Sequence, residues 1–396
     1  MSDPGFAQDD GMVLDDLPTP SLVLDLDRLE RNCDRMFRRA AKLRVQLRPH
    51  MKTAKSVDVG RLATRERSVG VTVSTLAEAE HFAEAGFGDI TYAVGIAGHK
   101  IRPLAELQRR TGARISILAD TVAALNGAAR HAEAVGERFA VFIEIDSGGG
   151  RGGVSPDGPE LLVIAEAVRA SPWLSLAGVL THAGHSYGAT SVEAIRQIAE
   201  EERVAVTQAA DRLRAAGMEV PVVSVGSTPT ALHASSLSGV TEMRPGVYTL
   251  FDLAQVALGS CAVDDIAVSV LATVIGHNPR ARRMLIDAGA LALSKDVSGN
   301  KGGQKVGYGL VCPATGEWPV EGLIVVDVHQ EHGLVACEGP ADGLESRFPV
   351  GTRVRILPNH ACLMAAPYDR YYLVRGSDPR VEGVWPKVTG WSAGSA

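Results

Sequence analysis

Residues 139–151, FAVFIEIDSGGGR, decide the fold: an apolar, β-branched run interrupted by one glutamate ends in an acid and a glycine-rich turn that closes on Arg151. A run of that length reads as a strand, Phe139 to Ile145. The amphipathic stretches around it, Thr121 to Val135 and Glu160 to Ala170, are rich in Ala, Glu and Arg and read as helices. Outward from this unit the same alternation extends from residue 43 to about 246. Further strands are expected at Val45 to Arg48, Val69 to Ser74, Asp89 to Val94, Arg114 to Leu118, Leu176 to Thr181, Val222 to Val225 and Val240 to Met243. Further helices are expected at Leu76 to Ala85, Lys100 to Thr111 and Val192 to Ala216. Eight βα units predict an α/β fold, a TIM-type (β/α)8 barrel, with an open doubly wound sheet as the alternative.

After residue 250 the texture changes. Strand-like runs at Ala267 to Ile275, Arg283 to Ala288, Leu323 to His329, Gly333 to Glu338, Arg353 to Leu357 and Arg370 to Arg375 are separated by Gly and Pro turns, which predicts a C-terminal, mostly antiparallel β-domain. Ser21 to Leu26 could add a strand to either part. The expected division is an N-terminal segment 1–26 that could join the β-domain, a barrel over 27–250, and a β-domain over 251–396.

Composition narrows the function. The 396 residues carry 40 basic and 46 acidic side chains, a net charge of -6, without the basic excess that nucleic acid or anionic lipid selects. With 45% hydrophobic and 22% charged residues, the chain reads as globular rather than disordered. Cys33, Cys261, Cys312, Cys337 and Cys362 form no CxxC pair, which fits a reduced cytoplasmic protein. The acidic start MSDPGFAQDDGMVLDD lacks the basic and apolar regions of a signal peptide, and no run of about 18 apolar residues occurs. A cytosolic protein without membrane or nucleic-acid partners is expected.

In a barrel, chemistry sits at the C-terminal ends of the strands. The first strand runs into Arg48-Pro49-His50-Met51-Lys52-Thr53, the fifth into Asp146 to Arg151, and the sixth into His182-Ala183-Gly184-His185-Ser186-Tyr187. The seventh runs into Gly226-Ser227-Thr228-Pro229-Thr230 and the eighth into Arg244-Pro245-Gly246-Val247-Tyr248. A Gly-Ser-Thr turn before a short helix offers N–H groups and hydroxyls to a phosphate, although such turns also simply cap helices. Lys52 is a candidate Schiff-base amine if desolvated, and an ordinary solvated lysine if not.

Together these residues resemble the D-threonine aldolase and D-serine dehydratase family, whose fold is the alanine-racemase-like, type III pyridoxal phosphate (PLP) fold. The resemblance rests on Thr19-Pro20-Ser21, Arg48 to Lys55, Asp146 to Gly153, Gly226 to Thr230, Arg244 to Asp252 and Pro358-Asn359-His360-Ala361-Cys362, in order across nearly the whole chain. It implies a PLP barrel with a C-terminal β-domain, usually a homodimer. Lys52 matches the PLP-binding lysine, Gly226, Ser227 and Thr228 the phosphate turn, and Gly246 and Tyr248 the next loop. Arg151 matches an arginine near the cofactor's phenolic oxygen. His182 resembles the residue packed on the pyridine ring, and Tyr187 could reach cofactor or substrate; a structural His and a core Tyr are the alternatives. The family often has His where this chain has Ala54.

The resemblance also gives meaning to His360 and Cys362, which alone would read as a chance pair. In an extended segment, residues i and i+2 share a face and can bind one ion. Thiolate makes zinc the expected metal, with manganese as the alternative. Two protein ligands are one fewer than a catalytic zinc site usually has, so water, substrate or a further residue must complete the shell. The expected chemistry is dehydration of D-serine or a 3-hydroxy-D-amino acid to a 2-oxo acid and ammonia, with Lys52 as base and the metal acting on the β-hydroxyl. Retro-aldol cleavage of D-threonine to glycine and an aldehyde is the alternative. An amino-acid racemase and a non-catalytic PLP carrier stand behind both.

Overall fold

The computed structural model describes residues 11–65, 70–317, 319–337 and 343–392. Val69 and Glu338, each at the end of an expected strand, and the first ten residues of the acidic start lie outside the described residues. The chain divides into two compact units. One comprises residues 33–248, 258–260 and the tail from Val388; the other comprises the residues up to Asn32, 249–257 and 261–387.

Strands are numbered along the chain, and β1 (Ser21–Asp25) belongs to the second unit. The first unit holds β2 (Gln46–Leu47), β3 (Val71–Val73), β4 (Asp89–Gly95), β5 (Arg114–Ala119), β6 (Phe139–Ile145), β7 (Leu174–Thr181), β8 (Val222–Val225) and β9 (Glu242–Met243). All neighbours are parallel, in the order β2-β9-β8-β7-β6-β5-β4-β3. A parallel bridge between His50 and Thr72 joins the two ends, with Met51 N–H donating to Thr72 O at 2.8 Å and Thr72 N–H to Pro49 O at 2.9 Å. The sheet therefore closes into a barrel, and the open doubly wound alternative is excluded.

Local chemistry sets the connections. Thr75, Thr121, Ser191 and Ser227 cap the helices that follow them by accepting an N–H three residues on. The longest helix, Val192–Ala215, buries Ile195, Ala199, Glu202, Val206, Ala209 and Leu213, a stripe with the three-to-four-residue spacing of one helical face. Gly178 lies where β6 and β7 slip register: a Cβ there would meet Val222 O at 1.9 Å, so no side chain fits. Two helices the sequence did not announce, Leu26–Leu43 and Val57–Thr64, flank β2.

The second unit adds to β1 the strands β10 (Val268–Asn278), β11 (Arg283–Ile286), β12 (Gly309–Pro313), β13 (Leu323–Val328), β14 (Gly333–Cys337), β15 (Arg353–Pro358), β16 (Arg370–Val374) and β17 (Gly383–Pro386). Their order is β11-β14-β13-β12-β15-β10-β1-β16-β17, and β10 also pairs with β11, which closes six strands into a ring. Every pairing is antiparallel except that of β1 with β16. The strands β12 and β17, with Gly and Pro at their ends, were not expected.

Candidate active site

A cavity of about 350 Å³ opens at the C-terminal ends of the barrel strands, and every one of the eight strands or its following loop reaches it. Lys52 and His50 come from the end of β2, Ser74 from β3, Asp120 from β5, Glu144 and Arg151 from β6, His182 from β7, Gly226 from β8 and Arg244 from β9. A larger cavity, about 540 Å³, sits at the N-terminal end of β2 against Phe37 and Ala40, but its only ionisable side chain is Arg44. The strand-end cavity instead gathers Lys52, His50, Asp120, Glu144, Arg151, His182 and Arg244, which makes it the candidate site.

The cavity is crowded with cations, and this fixes its two histidines. Burial, then the charges of Lys52, Arg244 and His182, hold the His50 imidazole well below its ordinary pKa. Burial and Lys52 likewise pull His182 down to about 3. Both rings are neutral at physiological pH. His182 Nδ1 is bonded to Gly226 O, which orients its ring; the Tyr187 ring lies 6.3 Å from it, centre to centre. Arg151, exposed, reaches Glu144 at 3.3 Å. Arg244 is buried, donating to Ser224 Oγ, to Val225 O at 3.1 Å and to Thr181 O at 2.5 Å. Burial lowers its pKa to about 10, still well above neutrality. No hydrogen bond or ion pair engages Lys52 Nζ among the described residues.

Behind the cavity, the Gly226-Ser227-Thr228 turn fits a phosphorylated cofactor. Gly226 allows the turn to pass Arg244, since a Cβ would stand 3.0 Å from Arg244 Cβ. Ser227 Oγ receives Thr230 N–H at 3.1 Å and meets Ser186 Oγ at 3.0 Å. The hydroxyls of Thr228 and Tyr248 are buried without a partner among the described residues. Buried hydroxyls are seldom left unsatisfied, and a phosphate oxygen is the acceptor they suit. Burial also pushes the Tyr248 phenol far above its ordinary pKa, keeping it a donor. Gly246 packs on His50, its Cβ position 2.7 Å from the His50 carbonyl.

The second unit carries His360 and Cys362, and one expectation is corrected there. The two are not on an extended segment: β15 ends at Pro358, His360 is the extended N-cap residue, and Cys362 lies in the short helix Ala361–Met364. Helix entry brings imidazole and thiol together, and the two interact by a hydrogen bond. His360 Nδ1 also lies 3.0 Å from Asp296 Oδ2. Burial disfavours the imidazolium, but the Cys362 hydrogen bond and charge, Asp252 and Asp296 outweigh it and lift His360 to about 10. Asp252 braces the segment, accepting Ala361 N–H and Gln255 N–H at 2.9 Å each. Asn359 accepts Gly299 N–H at 2.8 Å and donates to Gly307 O at 2.6 Å, holding the loop that bears Asp296. Among the described residues no group of three or more His, Cys, Asp or Glu side chains is placed to hold a metal ion, so His360 and Cys362 stand as a donor pair, and His360 must lose its proton before it can ligate.

His50, Arg244, Asp252, Asp296 and Glu202 received no role from sequence. His50 and Arg244 stand in the strand-end motifs and could have been found by asking which other groups point where Lys52 points. Asp296 lies in an aperiodic loop and gave no signal.

Comparisons with known proteins agree with the fold. The alanine racemase N-terminal domain family matches residues 24–254, and a serine dehydratase domain family matches residues 267–374. The chain is 46% identical to D-threo-3-hydroxyaspartate dehydratase of Delftia sp. strain HT23 over 95% of its own length and 98% of the relative's. It is 33% identical to D-serine dehydratase of Dictyostelium discoideum over 94% and 97%. The solved Delftia structure superposes with a TM-score of 0.91 over 96% of this chain and 100% of that one, and a variant of that enzyme is described in a metal-free form. D-threonine aldolase from Filomicrobium marinum, 28% identical, gives a TM-score of 0.81 over 95% and 96%.

Proposed function

The chain belongs to the alanine-racemase-like family of PLP-dependent dehydratases and aldolases, and from that premise we propose that it is a lyase that dehydrates 3-hydroxy-D-amino acids. The observation that carries the reading is the Lys52 amine, which no hydrogen bond or ion pair engages among the described residues, in a cavity that Gly226 also lines at the start of the turn bearing the Thr228 hydroxyl. D-Serine and D-3-hydroxyaspartate are the substrates proposed, and the product is a 2-oxo acid with ammonia. The similarity to two dehydratases favours loss of the hydroxyl over retro-aldol cleavage, which the aldolase relative keeps as the second reading.

PLP bound at Lys52 supplies an electron sink for charge at the substrate's α-carbon. Ser227, Thr228, Gly226, Gly246 and Tyr248 would hold its phosphate, and Arg151, His182 and Tyr187 would contact its ring or the substrate. The Lys52 amine, freed when the substrate's amine takes its place, would be the base for the α-proton. The neutral His182 ring packs without adding positive charge to a site that already contains Arg151, Arg244 and Lys52. His360 and Cys362 would hold a divalent metal such as zinc, which would supply Lewis acidity toward a hydroxyl group. In this reading residues 27–250 bind the cofactor and 251–396 the metal, and the protein is a cytoplasmic homodimer. No helix among the described residues is long and apolar enough to cross a membrane.

The test is product analysis. PLP-loaded protein is incubated with D-serine, D-threonine and D-threo-3-hydroxyaspartate, with and without zinc after chelation. Oxo acid plus ammonia supports the dehydratase; glycine plus aldehyde makes it an aldolase; retained PLP without turnover makes it a carrier.

A further inference from the structure

Glu202 lies in the middle of helix Val192–Ala215, in the run Glu200-Glu201-Glu202. Its neighbours are surface residues: Glu200 pairs with Arg203, and Glu201 receives a hydrogen bond from Gln197. Glu202 is 1% exposed. No cation lies within ion-pair distance among the described residues, so its burial needs a local reason. That reason is visible at one atom. Glu202 Oε1 accepts Ala183 N–H at 2.9 Å and Gly226 N–H at 3.1 Å, joining the loops that follow β7 and β8.

Gly226 is thereby held on both sides of its Cα. Its N–H goes to Glu202 and its carbonyl receives His182 Nδ1. Burial raises the Glu202 pKa, opposed by the Ala183 and Gly226 N–H groups, the Thr230 hydroxyl and the charge of Arg244. We propose that Glu202 is a positioning residue: through the N–H groups of Gly226 and Ala183 it sets the Gly226-Ser227-Thr228 turn to receive the 5′-phosphate of the cofactor. The inference rests on the reading of this cavity as a PLP site. It assigns to an outer-ring helix the shape of a cradle whose donors lie on other elements.

The experiment compares two ligands on the cofactor-free full-length protein: PLP, and pyridoxal, which lacks the phosphate. Binding is followed by absorbance of the lysine adduct. Wild type should bind PLP more tightly than pyridoxal; if it binds neither, the cofactor reading itself falls. Glu202→Ala should weaken PLP binding about tenfold, the equivalent of one hydrogen bond to a charged group, while leaving pyridoxal unchanged. Glu202→Gln keeps an oxygen that accepts both N–H groups and should restore PLP binding. If Glu202→Ala does not fold, Glu202→Asp, which withdraws the acceptor by one methylene, should give the same phosphate-selective loss. Unchanged PLP affinity, or an equal loss for PLP and pyridoxal, would overturn the inference.

Discussion

Lys55 is ion-paired with the buried carboxylate of Glu78, whereas Lys52, three residues earlier, faces the cavity. Glu78 is itself fixed, its other oxygen accepting Ser74 N–H at 2.8 Å. The Lys55 amine is occupied by that ion pair, which sets it apart from Lys52, the lysine that the strand-end motif already singles out.

PLP should therefore attach to Lys52 alone. Borohydride reduction and peptide mapping should place the adduct there, and Lys52→Ala should abolish it together with all turnover. An adduct at Lys55 or Lys295 would show the assignment to be wrong.

Thr228→Asp puts a carboxylate where the unpartnered hydroxyl now waits. Repulsion of the phosphate should weaken PLP binding by about a hundredfold, read by equilibrium dialysis. An unchanged affinity would remove the turn from the site.

Metal and cofactor should fail separately. Cys362→Ala should lose zinc and turnover but keep the Lys52 adduct, and Cys362→Asp should shift preference toward manganese. Asp296→Asn, which removes the charge next to His360 Nδ1, should weaken zinc binding by about 10- to 100-fold in chelator competition. Full metal content and activity in Cys362→Ala would refute the site.

The neutral histidines predict acid sensitivity of the cofactor-free protein. Unfolded, each histidine gains its proton near pH 6.5; folded, His182 gains it only near 3 and His50 well below its ordinary value. Between those limits the unfolded state binds more protons, so stability is full above pH 6.5 and is lost as pH falls. Each should contribute a slope of about 1 kcal/mol per pH unit below pH 6. Urea titrations at pH 7.5, 6 and 5 should show it, with the slope roughly halved in His182→Gln.

The barrel strands were legible because most are short β-branched runs with a helix beside them; the two shortest, Gln46–Leu47 and Glu242–Met243, each pair one polar with one apolar residue. The helix Leu26–Leu43 escaped because its many charges obscure the buried Leu29, Cys33, Met36 and Ala40. Lys52 and the Gly226 turn could be found because they sit at strand ends. Glu202 was hidden among two surface glutamates, although it falls on the stripe of Ala199 and Val206, where a charged residue should prompt the question of its partner. The expectation of an extended His360–Cys362 segment failed because Asp252, distant in sequence, caps the turn that begins at Ala361.

The strand β1 lies between β10 and β16, paired at Val23 with Ser269 on one side and Tyr372 on the other. The ribosome therefore delivers this strand first, while its neighbours follow some 240 and 350 residues later. The sequence that builds the barrel emerges in between and can fold while β1 is still waiting. A fragment starting at residue 251 would lack an interior strand of its own sheet, leaving β10 and β16 as bare edges prone to pair with other chains.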